Sequence, residues 1–187
     1  NSCIGAAVVS CRVPFFHTES SMVLTKAELI GSLQNEVRIL LHLAGKIDAR
    51  SIDYRPTAKQ RSTIEWLRYL SLMGPGLTDA AKTGTFNGEA WGKAQAEVDA
   101  LSLEQVVAKI AALSDYFAKA IGEMSDADFR TEIEMFGQKH TKGAFLVNMV
   151  LSGYAAYRTQ IFQHLKSCGR EELNTMNLWG GMDAPQQ

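Results

Sequence analysis

The sequence predicts an all-α protein, a four-helix bundle with one longer crossover connection and a short extra helix. Three observations carry that prediction. Apolar residues recur at three- and four-residue spacing in four long segments, the period of an α-helix with one buried face. Three of those segments open on Ser or Thr with Glu or Gln three residues later, the pattern that satisfies free amide groups of a first helical turn. Alternation of apolar and polar residues, the mark of a strand, is confined to "FRTEIEMF", too little for a sheet.

The first helix starts at Thr25, with Glu28 as its reciprocal cap, and carries Leu29, Ile30, Leu33, Val37, Leu40, Leu41 and Ala44. It ends by Gly45 and "DARSIDYRP", since Pro56 disfavours helix at Arg55. The second starts at Ser62 with Glu65 in the capping relation, buries Ile64, Leu67, Leu70 and Leu72 or Met73, and is expected to stop at "MGPG". Gly84 and Gly88 restrict the next region to a short helix from Glu89 to about Asp99. The third long helix opens at Ser102 with Gln105 and has the cleanest stripe: Leu103, Val106, Val107, Ile110, Leu113, Phe117 and Ile121. The fourth runs from about Thr141 to Ser167 and ends at Gly169, a helix-terminating residue.

The 187 residues suit a single domain with its own core, and 46% apolar against 21% charged is ordinary for a globular protein. The expected division is an irregular extension over 1–21, a bundle over 22–170 and a tail over 171–187. Met22, just before the first helix, marks the expected start of the domain. A net charge of −1 argues against general affinity for nucleic acid or anionic membranes. No apolar run reaches the ~18–20 residues of a membrane span. Cys3, Cys11 and Cys168 form no metal-binding spacing and no disulfide framework; Cys3 and Cys11 are read as free thiols, with a Cys3–Cys11 disulfide as the alternative. These features suggest a reduced, cytoplasmic setting.

Bundles build sites from side chains that point inward from facing helices. His42 near the end of the first helix reads as a partly exposed residue near helix carbonyls. His17, His140 and His164 are scattered, and no pair has the spacing that puts two ligands on one helical face. Tyr69 follows Glu65 by one turn, and Tyr157 follows Gly153 by one turn. A buried tyrosine ordinarily packs its ring and finds one partner for its hydroxyl. Gly153 calls for a reason, because glycine inside a helix costs about 1 kcal/mol relative to alanine. Glu65 is accounted for as a cap and Arg158 as a solvated charge. No residue is singled out as catalytic.

Two segments, "YRPTAKQRSTIEWLRYLSLMGP" and "FLVNMVLSGYAAYRTQIFQHLKSCG", resemble the DinB-like (DinB/YfiT) superfamily of four-helix bundles, over most of residues 22–169. The resemblance rests on "RS-x-x-E-x-L" at the start of the second helix and "YR-x-Q-I…L…G" at the end of the fourth. It implies a zinc or nickel ion held by one histidine of the second helix and two, four residues apart, of the fourth. It also implies homodimers and, in some members, transferase or isomerase chemistry with low-molecular-weight thiols. Carried over position by position, the ligands fall on Tyr69, Gly153 and Tyr157, while Glu65, Trp66, Arg158 and Gln160 stand beside them. Glycine offers no donor, and neutral phenols are poor zinc ligands. The expectation is a degenerate metal site that holds no metal and leaves a tyrosine-lined pocket or a filled core.

Three functions follow from this. The first is binding of a small molecule at Tyr69, Gly153 and Tyr157, with Trp66 or Trp91 closing the pocket. The second is a non-catalytic dimeric interaction or stress-associated module, with Trp91, Phe86 and "LNTMNLWGG" as apolar residues available to an interface. The third is a divalent-metal, thiol-dependent transferase drawing ligands from His42, Glu65 or His140.

Overall fold

The computed structural model describes residues 24–185. The extension over 1–21, with Cys3, Cys11 and His17, and the expected domain start at Met22 lie outside the described residues. In order, the elements are α1 (Lys26–Ala44), α2 (Thr63–Thr83), α3 (Gly88–Asp99), α4 (Leu103–Ala111), α5 (Leu113–Gly122), α6 (Asp126–Arg130), β1 (Glu132–Met135), β2 (Gln138–Thr141), α7 (Lys142–Phe145), a π-helical turn (Leu146–Leu151), α8 (Ser152–Ser167) and a second π turn (Met176–Gly180). Four helical rods form the bundle: α1, α2, α4 with α5, and α7 with α8. The fold is all-α, with α3 as the short extra helix.

The capping boxes at Thr25–Glu28, Ser62–Glu65 and Ser102–Gln105 are formed, each side chain accepting from a backbone amide of the other's residue. The stripes they start face one core in which Leu33, Val37, Leu40, Leu67, Leu70 and Phe117 are fully buried. Burial at roughly 25 cal/mol per Å2 of apolar surface is the main force holding the rods together. Residues 132–141 form an antiparallel hairpin, Glu132 opposite Thr141 and Met135 opposite Gln138. Ile133 and Met135 of β1 turn into the core, as the alternation in "FRTEIEMF" requires.

Two helices depart from their expected extents. The second does not stop at "MGPG": α2 runs through Pro75 to Thr83. A proline inside a helix costs about 3 kcal/mol. Beyond it, however, Leu77, Ala80 and Ala81 are buried, and packing outweighs the local penalty. The flanking glycines allow close approaches. A Cβ on Gly74 would collide with Tyr154 Oη and lie 2.7 Å from Phe117 Cζ, and one on Gly76 would lie 2.9 Å from the Trp91 ring. The third helix is interrupted for one residue at Ala112, between α4 and α5, with its stripe intact.

The segment after Gly169 folds back onto α1. Leu173 and Asn177 are buried there, and Asn177 Nδ2 lies 3.0 Å from His42 Nε2 and donates to Asp183 at 2.9 Å. Arg158, read from sequence as a solvated charge, is buried. It pairs with Glu36 of α1 and donates to the Leu178 carbonyl, with Trp179 over its guanidinium at 5.3 Å. Burying a charge demands this degree of pairing.

Candidate functional site

Tyr69, Gly153 and Tyr157 meet where α2 faces α8. Tyr69 and Tyr157 stand edge to face with ring centroids 5.4 Å apart. Trp66, in the first turn of α2 and three residues before Tyr69, stacks on Tyr157 at 4.6 Å and meets Tyr69 at 6.0 Å. Trp91 of α3 approaches Tyr69 at 6.2 Å. The Arg61 guanidinium covers the outer side of this cluster, 4.3 Å from the Tyr69 centroid and 5.1 Å from that of Trp66. The space that a side chain at Gly153 would take belongs to Met73, whose Sδ and Cε both lie 3.0 Å from an ideal Cβ. The glycine thus admits the Met73 thioether between α2 and α8. The π turn immediately before α8 widens the helix by one residue just ahead of Gly153, and Ser152 Oγ closes it by donating to the Val147 carbonyl at 3.0 Å.

Burial, aided by the nearby Tyr157 hydroxyl, pushes the Tyr69 phenol above its ordinary value. It therefore remains a protonated phenol at neutral pH. Two phenols and a glycine, with a thioether in the gap, do not fit a zinc or nickel ion, which at such a site takes imidazole, thiolate or carboxylate donors. Among the described residues no three His, Cys, Asp or Glu side chains gather as a metal-holding group.

The residues expected to support this site divide. Trp66 belongs to it. Glu65 faces the other way: it accepts from the Ser62 amide at 2.7 Å and pairs with Arg55 at 3.0 Å, which together hold its carboxyl below the usual range. Arg158 serves the Glu36 pair on the α1 side, and Gln160 is exposed. The three described histidines are apart from the cluster and from one another. His164 Nδ1 lies 3.1 Å from Thr63 Oγ1, with Tyr54 edge-on at 5.3 Å. His140 stands on β2 beside Phe145. His42 contacts the C-terminal segment, where burial lowers its pKa against the opposing pull of Asp183.

Open volume lies beyond Trp91. A cavity of about 390 Å3 sits between the second half of α2, α3 and the connection joining them. Its walls include Pro75, Gly76 and Asp79 of α2, Phe86 of the connection and Trp91 of α3, with Lys109 of α4 at the edge. Phe86 and Trp91 pack at 5.3 Å. The Asp79 carboxylate accepts a 2.7 Å bond from Tyr116 Oη, and burial together with that carboxylate pushes the Tyr116 phenol far above its usual range, fixing it as a donor. Sequence reasoning missed this site because Gly-Pro-Gly reads as a helix stop. The available signal was "LTDAAK" beyond it, which continues the helical spacing of Leu70 and Met73 through Leu77, Ala80 and Ala81.

No family model matches the chain, and no curated protein matches it. Among solved structures it is similar to the crystal structure of a DinB-like protein, YjoA, from Bacillus subtilis. The TM-score is 0.60 at 16% sequence identity, over 78% of this chain and 94% of the other. The DinB-like bundle fold is thereby shown.

Proposed function

We propose that this DinB-like bundle binds a small, largely apolar molecule without a metal ion, in the cavity between α2 and α3. The tyrosine-lined place between α2 and α8 is occupied by its own rings, and Trp91 is the residue common to it and to the cavity. One observation carries the reading: about 390 Å3 of space walled mainly by apolar side chains, with polar groups among them, the usual character of a small-molecule site. Calorimetric titration with indole, a neutral aromatic probe, tests it. Saturable binding, lost in a Trp91→Ala variant that stays folded, is the expected result; absence of binding to the wild-type protein refutes it. Metal analysis after incubation with zinc or nickel and desalting is expected to find far less than one equivalent.

A homodimer is the second reading, favoured by exposed apolar side chains on the C-terminal segment: Trp179 at 67% exposure and Met182 at 48%. Phe86 and Trp91 pack within their own subunit, so an interface would use the C-terminal side. Light scattering on the wild type and on Trp179→Ser tests this, a monomer in both cases refuting it.

A further inference from the structure

We infer that the ligand of the α2–α3 cavity is an organic amine, a cationic nitrogen on an aromatic or other apolar body. The inference rests on the small-molecule reading above and specifies its chemistry.

Acceptors stand along the α2 wall, and the Ser71 and Thr83 hydroxyls on it already donate to the Arg68 and Asp79 carbonyls. Ser71, Pro75 and Asp79 all line the cavity, and their spacing of four places them on one stripe of the helix. Pro75 has no N–H, so the Ser71 carbonyl lacks the donor that its helical position would normally supply. The Pro75 carbonyl and the Asp79 carboxylate both face Tyr116 Oη, at 3.1 and 2.7 Å. A phenol has one proton to donate. It therefore serves one of these acceptors at a time and leaves lone pairs on both for a further donor. Among the described residues Asp79 has no basic side chain within ion-pair distance. An ammonium group brings up to three donors and a positive charge to such a place.

The opposite wall points the same way. It carries Trp91 and Phe86, and aromatic rings attract cations and stack on an aromatic body. Lys109 is the one basic side chain on the lining. It is exposed, on α4, where its flexible chain can turn to water. A carboxylate ligand would need Lys109 to outweigh the whole acceptor stripe.

Three probes with the same ring system separate the possibilities: indole, tryptamine and indole-3-propionate, titrated calorimetrically into the whole protein and its Asp79→Asn variant. Asp79 is exposed and asparagine keeps the acceptor for Tyr116, so the variant is expected to fold. Tryptamine should bind wild type about three- to fivefold more tightly than indole, the size of an exposed ion pair. Asp79→Asn should remove that advantage, so that tryptamine and indole bind the variant equally; an advantage that survives the substitution overturns the amine inference. If indole binds while tryptamine is no tighter, or if indole-3-propionate is the tightest of the three, the amine inference is overturned and the small-molecule reading stands. If none of the three binds, both are overturned.

Discussion

At Tyr69 the gap between α2 and α8 is filled by Trp66, Tyr157 and the Met73 thioether, whereas two turns along the same helix, at Gly76, the gap between α2 and α3 stays open. The two regions share Trp91 and differ in what the partner helix brings. α8 supplies a large ring at Tyr157 and a glycine that admits Met73, so the surfaces interlock. α3 has Val98 as its one buried residue and presents Ala90 and Ala94 beside Trp91, so a volume is left over. Helices that exchange large and small residues close on each other, while a helix of small residues held off by one indole leaves a cavity. In this chain the three positions singled out by the family resemblance are therefore the packed place, and the neighbouring interface is the open one.

The largest expected effect tests why the first region is closed. Gly74→Ala drives a methyl into Tyr154 and Phe117 in the core, and should destabilise the fold by about 1–3 kcal/mol in chemical denaturation. Tyr157→Ala removes the ring stacked on Trp66 and should cost about 1–2 kcal/mol, since the site is half-buried; a neutral result would mean that the cluster is not a packed unit. Ala94→Leu should act in the opposite sense. By filling the cavity it should stabilise by about 0.5–1 kcal/mol and abolish indole binding. Retained binding would place the ligand elsewhere.

Acidity separates the two regions from the rest of the bundle. Burial holds His42 and His164 below the ordinary value of 6.5. The unfolded chain therefore takes up protons first: this contribution to stability is whole above about pH 6.5 and is lost as the pH falls. The melting temperature should drop by about 2–4 °C between about pH 7 and about pH 5, and by less in His42→Gln. The cavity lining contains no histidine, so indole affinity should not change over the same interval while the protein remains folded. The smallest effect is expected at Gly153→Ala. The contact there is the mobile end of Met73, and the gain in helix propensity offsets the crowding to within about 0.5 kcal/mol. A large loss would show that Met73 cannot move aside.

Much of the fold was legible in the sequence. The capping boxes at Thr25, Ser62 and Ser102 and the stripe from Leu103 to Ile121 locate helix starts and buried faces through contacts three and four residues apart, which the sequence displays directly. The short helix at Gly88–Asp99 was legible for the same reason. The candidate site was legible in part. The spacing of Gly153 and Tyr157 placed them on one face, and the family resemblance set Tyr69 opposite them; that Trp66 and Met73 would fill the gap depends on side chains from different helices. Arg158 shows the limit most plainly, because its partners, Glu36 and Leu178, lie 122 and 20 residues away.

By itself, the sequence determined the all-α class, most of the helix starts and the absence of imidazole at Tyr69, Gly153 and Tyr157, because these depend on periodicity, capping and residue chemistry. Tertiary structure alone decided that α2 continues through Pro75, that Arg158 turns inward to Glu36, and that the open space lies beside Trp91. In each of these a local preference competes with burial against distant elements, and the sum of many long-range contacts exceeds the few kcal/mol by which one proline or one charge resists.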